Sequence, residues 1–138
     1  MSAMQELYRQ VISDHARAPR GKGELAGATH TAIGDNPSCG DRVAVQLRLS
    51  GELIEDVRFS GRGCAVSQAS ASMLTGLVRG RTRAEALALA DDFEGMLRGT
   101  APRGDMGDLM ALQGTAQLHS RVKCAVLAWQ ALREALAE

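Results

Sequence analysis

Aromatic side chains are scarce in this sequence of 138 residues, which has only Tyr8, Phe59, Phe93 and Trp129. Single-stranded nucleic acids are commonly bound by stacking their bases on exposed aromatic rings, so a surface of that kind is not expected here. The chain also lacks net charge, because sixteen Lys and Arg balance sixteen Asp and Glu. Without a basic excess, we expect no bulk electrostatic binding of nucleic acid or of an anionic membrane.

Long apolar runs and a cysteine framework are missing as well. No uninterrupted apolar stretch approaches the roughly 20 residues that a membrane span needs, and no basic region followed by an apolar one begins the sequence. We therefore expect a cytoplasmic protein with no membrane partner. The three cysteines are an odd number in a chain without a secretory signal, which favours reduced thiols over disulfides.

The composition that remains is that of a folded protein. Hydrophobic residues make up 45% of the chain and charged residues 23%, which excludes the highly charged composition of a disordered segment. A chain of this length buries roughly two-thirds of the surface that its unfolded form exposes, so it can build a core without disulfides. No internal repeat or linker divides it, and we expect a single domain over residues 1–138.

The pattern of apolar residues predicts strands in the first half of the chain. Alternation of apolar and polar residues over 42–49 predicts a strand, and a second follows over 52–59 after a turn at Ser50-Gly51. A shorter strand is predicted over 29–33. The side chains expected on the core face of the second hairpin strand are Leu53, Val57 and Phe59.

Helices are predicted before the strands and throughout the second half. Two of them begin with a capping box, in which a hydroxyl and a Glu or Gln side chain three residues later satisfy free backbone N–H groups. Ser2 with Gln5 forms one such pair and Thr82 with Glu85 the other. The predicted helices cover residues 3–16, 65–78, 83–99, 105–112 and the segment that follows Ser120 as its cap. Together these elements predict an α+β fold, with helices packed on one face of a small antiparallel sheet.

The first two cysteines lie where the local chain favours a thiolate. Cys39 lies in a Pro- and Gly-containing turn that places the Asp41 carboxylate two residues away, so both groups can point at one cation. Cys64 follows Gly61-Arg-Gly63 at a predicted helix start, where free N–H groups and the helix dipole favour the anion. These glycines lack the Lys-Ser/Thr that completes a phosphate-binding loop, so we expect no nucleotide site.

The third cysteine completes a set of candidate metal ligands. Cys124 follows Arg121 and Lys123, whose positive charges also favour an anion nearby. Three thiolates and a carboxylate would select zinc, or iron in an iron–sulfur site, over magnesium or calcium. The candidate ligands are Cys39, Asp41, Cys64 and Cys124. Their spacing is wide and contains no Cys-x-x-Cys pair, so small apolar core cysteines remain an open alternative from spacing alone.

The histidines and serines are weaker candidates for functional residues than the cysteines. The histidines lack a partner at metal-ligand spacing, and we expect surface or capped side chains at His15, His30 and His119. The small residues over 67–72 include three serines without a nucleophile elbow, which favours close helix packing over a serine nucleophile.

Three segments in this order resemble the IscU/NifU-like iron–sulfur cluster assembly family. They are Asn36-Pro-Ser-Cys-Gly-Asp41, the glycine-rich segment and small-residue helix over 61–72, and Arg121-Val-Lys-Cys-Ala125 with Trp129. Within that family the chain is similar to the SufU branch, because residues 107–114 fit the extra segment that SufU members have before the third cysteine. Scaffold-type IscU members also place histidine where this chain has Lys123.

The resemblance implies that Cys39, Asp41, Cys64 and Cys124 surround one metal ion, which is normally zinc in the SufU branch. It further implies a pyridoxal-phosphate cysteine desulfurase of SufS type as the partner. Its persulfide sulfur would pass to Cys39 once that thiolate leaves the zinc, and a histidine of the desulfurase would take the vacated position. Arg121 would steady the anionic site or the docked partner.

The function implied is therefore that of a sulfur acceptor and carrier, not of a stand-alone enzyme. Downstream iron–sulfur scaffolds or apoproteins would receive the sulfur. Two other functions remain open. One is a scaffold that assembles a [2Fe–2S] cluster on the same four residues and transfers it to apoproteins, which Lys123 in place of histidine disfavours. The other is a purely structural zinc module in which the metal holds the loops to the last helix.

Overall fold

A computed structural model describes residues 2–38, 40–117 and 119–137, with four α-helices, one 3-10 helix and three strands in the described part. In chain order the elements are α1 (Ala3–Arg17), β1 (His30–Asn36), β2 (Asp41–Ser50), β3 (Leu53–Arg62), α2 (Ala65–Val78), α3 (Arg83–Leu97), the 3-10 helix (Gly107–Gln117) and α4 (His119–Leu136). The predicted α+β fold is confirmed. No described helix combines the length and hydropathy needed to cross a bilayer.

The three strands form one antiparallel sheet in the order β1-β2-β3. The alternation predicted for β2 is present, since Val43, Val45 and Leu47 are fully buried on one face. The hairpin turn is Gly51-Glu52, one residue later than predicted. Gly51 has φ +59° at the first position of this two-residue turn, where glycine is tolerated at no steric cost.

A β-bulge corrects the predicted core face of β3. Arg48 pairs with Asp56 while the next residue, Leu49, pairs with Ile54, so Glu55 is an extra residue on β3. The bulge shifts the alternation on its N-terminal side by one position. Ile54 is therefore fully buried, and Leu53, predicted to face the core, is 44% exposed.

The core lies between the sheet and the helices. Helix α4 packs on β1 and β2, while α2 packs on β3, α1 and α4. The largest fully buried side chains include Trp129 of α4, Phe93 of α3 and Phe59 of β3. The Phe93 and Trp129 rings are tilted with their centroids 5.5 Å apart, an ordinary geometry for an aromatic pair. Burial of each such side chain contributes about 1.5–3 kcal/mol.

Small residues let α2 approach α4 closely, as predicted from the serine and alanine pattern. The fully buried Ser70 hydroxyl donates to the Ala125 carbonyl at 2.6 Å and accepts from the Trp129 indole N–H at 3.1 Å. These bonds satisfy polar groups that would otherwise be costly to bury. They also link the N-terminal half of α2, which Cys64 precedes as the N-cap residue, to α4, which contains Cys124.

The predicted capping boxes are both present, at Ser2 with Gln5 and at Thr82 with Glu85. The region before α4 differs from the prediction. The 3-10 helix reaches Gln117, beyond the predicted helix end at residue 112. Helix α4 begins at His119, so Ser120 lies inside the helix rather than ahead of it as the predicted cap.

Candidate metal centre

Three element ends converge at one end of the sheet. Asp41 begins β2, Cys64 is the N-cap residue of α2, and Cys124 lies in the second turn of α4. Their candidate ligand atoms all lie within 4.8 Å of one another. The structure thus brings together three of the four predicted ligands. Cys39, the fourth, lies outside the described residues.

The Asp41 carboxylate links the start of β2 to the start of α2. It is only 2% exposed, and its Oδ1 accepts a hydrogen bond from the Cys64 backbone N–H at 3.0 Å. The Cys64 side chain makes no capping bond to its own helix. Cys64 is half-buried at the start of α2.

The glycines of the Gly61-Arg-Gly63 segment allow close packing of the chain beside the metal centre. A Cβ at Gly63 would lie 2.1 Å from Ser67 Oγ and 3.0 Å from Asp41 Cγ. At Gly61, φ is +115° and a Cβ would lie 2.0 Å from the Arg42 carbonyl oxygen. Because neither position tolerates a side chain, the two glycines let the end of β3 fold directly over the start of β2.

The chemistry of the donor set fits a borderline-soft cation. Two sulfur atoms and one carboxylate within 4.8 Å would repel one another as anions, and a divalent ion between them removes that repulsion. Thiolate ligands favour zinc or iron over magnesium and calcium. Two of the three groups are also shielded from solvent, since Asp41 and Cys124 are 2% and 4% exposed. The described residues therefore form a candidate metal-binding site.

The two predicted supporting residues lie at the start of α4. Arg121 is exposed in the first turn, and Lys123 is exposed next to Cys124. Lys123 also lines a cavity of about 260 Å³ between β1 and α4, together with Asp35 and Asn36 of β1. The two predicted residues outside the ligand set thus lie within three positions of Cys124 along the chain.

A second polar cluster was not predicted. His15, expected to be a surface or capped side chain, is only 4% exposed. Its Nδ1 lies 2.7 Å from the Ser72 hydroxyl and its Nε2 lies 2.8 Å from an Asp108 carboxylate oxygen. Arg20 places a guanidinium nitrogen 2.8 Å from the same Nε2, and its backbone N–H donates to Ser72 Oγ at 2.8 Å. We call His15, Arg20, Ser72 and Asp108 the His15 cluster.

The His15 cluster has the residue types of a hydrolytic triad, but its geometry is structural. Ser72 is fully buried, so no substrate can reach its hydroxyl. The contacts instead join α1 to α2 and to the 3-10 helix. No spacing rule could have found them, because His15 is 57 residues from Ser72 and 93 from Asp108.

Comparison with known proteins adds relatives over almost the full length. Residues 7–138 match the family described as "NifU-like N terminal domain". The chain is 42% identical to the "Zinc-dependent sulfurtransferase SufU" of Bacillus subtilis (strain 168), covering 96% of this chain and 90% of that protein. It is 39% identical to the "Iron-sulfur cluster assembly scaffold protein IscU" of Streptococcus pyogenes serotype M1, covering 99% and 86%.

Solved structures agree with the fold. A crystal structure described as a putative iron–sulfur cluster assembly scaffold protein for the SUF system, from Fervidobacterium islandicum AW-1, superposes with a TM-score of 0.88 at 32% identity. The match covers 96% of this chain and 98% of that one. A further crystal structure, of a hypothetical protein, superposes with a TM-score of 0.90 at 39% identity, covering 97% and 99%.

Proposed function

Because the chain belongs to the NifU-like N-terminal domain family, we propose that it acts in iron–sulfur cluster assembly as a zinc-dependent acceptor and carrier of persulfide sulfur. The family match over residues 7–138 confirms the resemblance that the three motifs indicated. The observation that supports the proposal most strongly is the convergence of Asp41, Cys64 and Cys124 within 4.8 Å. The similarity to a relative named as a zinc-dependent sulfurtransferase favours zinc as the metal.

We assign the zinc ligands to Cys39, Asp41, Cys64 and Cys124. When bound, zinc supplies a redox-inactive positive charge that keeps coordinating thiols ionised near neutral pH. Asp41 is the weaker, harder ligand of the set, and its bond from the Cys64 N–H fixes its orientation. The buried Cys124 and half-buried Cys64 hold the metal to the ends of two helices.

Cys39 is the proposed sulfur acceptor, and a cysteine desulfurase of SufS type is the proposed donor. The Cys39 thiolate attacks the outer sulfur of the persulfide on the desulfurase. A new S–S bond forms on Cys39 as the S–S bond of the donor breaks, and the donor cysteine leaves as a thiolate. The exchange consumes no oxidant or reductant. A downstream scaffold or apoprotein then receives the sulfur by the same kind of exchange.

The experiment that tests this function measures cysteine turnover by the desulfurase with and without the zinc-loaded protein. We expect stimulation by the wild type and none by Cys39→Ala, because the variant has no thiolate to accept sulfur. Thr100→Ala, at an exposed position before the 3-10 helix, serves as the control and should stimulate like the wild type. Full stimulation by Cys39→Ala would refute the acceptor role.

A scaffold function is the second candidate, and the 39% identity to a protein named as an iron–sulfur cluster assembly scaffold favours it. The same four residues would then hold a nascent [2Fe–2S] cluster as cargo. Anaerobic reconstitution with iron and sulfide distinguishes the two functions. A cluster that forms and activates an apoprotein would support the scaffold, whereas failure to form a transferable cluster would reject it.

A further inference from the structure

Gly34 lets helix α4 approach strand β1 closely. A Cβ atom at this position would lie 2.8 Å from the backbone carbonyl oxygen of Leu127 and 3.1 Å from its Cδ1. Cβ atoms essentially never come within 3.0 Å of a non-bonded heavy atom. A carbonyl oxygen inside a helix also cannot rotate away, as the end of a side chain can. Any side chain at position 34 would therefore force β1 and α4 apart.

The backbone conformation of Gly34 does not itself require glycine. Its φ angle lies outside the left-handed region. Glycine inside a strand weakens that strand, because it costs conformational entropy and adds no side chain to the core. The close approach of α4 is therefore the feature of the structure that accounts for glycine at this position.

The contact between Gly34 and Leu127 lies close to two of the candidate metal ligands. Leu127 lies three positions after Cys124, which places both on one side of α4. On β1, Gly34 lies two positions before Asn36, whose register partner across the β1–β2 pair is Asp41. The contact is thus one helical turn from a ligand on α4 and two residues from the register partner of a ligand on β2.

The displacement that a side chain would cause is large for a metal site. Ordinary van der Waals contact of a Cβ begins at 3.4 Å, so relieving the 2.8 Å contact requires a movement of about half an ångström. Ligand distances in metal sites are defined to within about 0.2 Å. Movement of α4 would carry Cys124 with it, and movement of β1 would carry the segment that contains Cys39. Either movement exceeds what a set of short zinc bonds tolerates.

A separate contact fixes the other side of α4. The Ser70 hydroxyl of α2 donates to the carbonyl of Ala125, the residue after Cys124, at 2.6 Å. This bond sets the position of α4 relative to α2, at whose start Cys64 lies. The Gly34 contact sets the position of α4 relative to the strands. The two contacts therefore act on the distances from Cys124 to different ligands.

We propose that Gly34 is a positioning residue of the metal centre. It sets the separation between Cys124 on α4 and the two ligands at and before the start of β2, Asp41 and Cys39. This inference rests on the proposed function, which assigns zinc to these residues. Gly34 acts through the backbone of α4 and not by touching the metal.

Cobalt(II), bound anaerobically in place of zinc, tests this role, because its visible absorption reports the geometry of the ligand set. The wild type should show the bands of tetrahedral Co²⁺ with thiolate ligands, and in Gly34→Ala these bands should shift and weaken. We also expect about a 10–100-fold loss of zinc affinity in chelator competition, the range found when a group that orients a ligand is disturbed. A purely structural role would lower the melting temperature without changing the spectrum.

Two control variants separate the displacement of α4 from other effects of substitution. Gly76→Ala adds the same methyl group in α2, where nothing lies within 4 Å of the new Cβ. Val57→Ala removes part of a fully buried side chain of β3, which lowers stability without adding a group against α4. Both controls should keep the wild-type cobalt spectrum and zinc affinity, although Val57→Ala should melt at a lower temperature.

A folded Gly34→Ala variant with the wild-type spectrum and zinc affinity would overturn the positioning role and leave the proposed function intact. If this variant folds poorly, Gly34→Ala/Leu127→Ala removes the crowded Leu127 side chain, keeps the backbone oxygen and should show the altered spectrum. Failure of both variants to fold would also overturn the role, because the contact would then be a requirement of the fold. A wild type that binds neither zinc nor cobalt would refute the proposed function itself.

Discussion

The metal centre and the His15 cluster both contain buried polar side chains, but they combine groups of different charge. In the His15 cluster an imidazole lies between a hydroxyl, a carboxylate and a guanidinium, so this chain provides complementary partners for each group. In the metal centre the converging groups are a carboxylate and two cysteine sulfurs, which are metal-ligand types. The first region pairs complementary groups of this chain, whereas the second brings together groups that could hold a metal ion.

The two regions also differ in what they connect. The His15 cluster joins the last turn of α1 and the first turn of the 3-10 helix to the middle of α2. The metal centre joins the starts of β2 and α2 to the second turn of α4. This difference predicts that substitutions in the first region change stability and that those in the second change metal binding and sulfur transfer.

The largest effect is expected from Cys124→Ala. The substitution removes a buried soft ligand, so bound zinc should fall to background when metal content is measured after purification. His15→Gln is the matched variant from the other region and should retain zinc. Retention of full zinc by Cys124→Ala would break the comparison, because the converging groups would then not be the metal site.

Zinc removal tests whether the metal does more than hold the fold together. Chelation should lower the melting temperature and also abolish sulfur acceptance from the desulfurase, because the zinc-held thiolates are lost. Both quantities should recover when zinc is added back. A lower melting temperature with unchanged sulfur transfer would instead identify a purely structural zinc module.

Gly63→Ala should weaken zinc binding without removing a ligand. Its Cβ would lie 2.1 Å from Ser67 Oγ and 3.0 Å from Asp41 Cγ, so the carboxylate must move. We expect about a 10–100-fold loss of zinc affinity by chelator competition, the range found when a group orienting a ligand is disturbed. Gly76→Ala in α2 is the control, since nothing lies within 4 Å of its Cβ. Equal affinities for the two variants would contradict the packing argument.

His15→Gln should cost stability and leave zinc affinity unchanged. The buried ring contacts Ser72 and Asp108, and a Gln side chain cannot keep both bonds. We expect a loss of about 1–3 kcal/mol in the free energy of unfolding, measured by denaturant titration of the zinc-loaded protein. A stable variant with weakened zinc binding would reverse the roles assigned to the two regions.

Glu85 lies outside both regions and should make a small contribution to the pH dependence of stability. This contribution has to be measured before acid titration is used to compare the two regions. Hydrogen bonds from the Thr82 backbone N–H and hydroxyl hold the pKa of Glu85 below its ordinary value. This stabilisation is present above the unfolded-state pKa and is lost as pH falls through the lower folded value. The stability difference between wild type and Glu85→Gln should therefore shrink in acid. The capping box of α1 contains Gln5, which does not titrate, so the stability difference between wild type and Gln5→Ala should not change with pH. Equal pH dependence of the Glu85→Gln and Gln5→Ala differences would contradict the assignment.

Local patterns predicted the features that depend on neighbouring residues. Capping boxes, the alternation in β2 and the small residues of α2 each act within a few positions, and each is present in the structure. The bulge at Glu55 was not predictable, because Leu53 and Ile54 are both apolar and only pairing with β2 selects which one faces the core. The 3-10 helix likewise extends past its predicted end.

The polar clusters likewise include one that the sequence indicated and one that it did not. Residue chemistry suggested the ligand set, but the separations between Asp41, Cys64 and Cys124 left open whether the fold brings them together. Before the structure, that question was answered only by the resemblance of three sequence motifs to the IscU/NifU-like family. The His15 cluster had neither a motif nor a local pattern, and its contacts depend entirely on how α1 packs against elements formed much later in the chain.

Mass spectrometry of Cys39 after incubation with the desulfurase and cysteine tests the central claim most directly. The account predicts one added sulfur atom on Cys39 of the zinc-loaded protein, removed by a thiol reductant and absent when cysteine is omitted. Desulfurase turnover in the presence of an unmodified Cys39, with the added sulfur found on Cys64 or Cys124 or on neither, would contradict it.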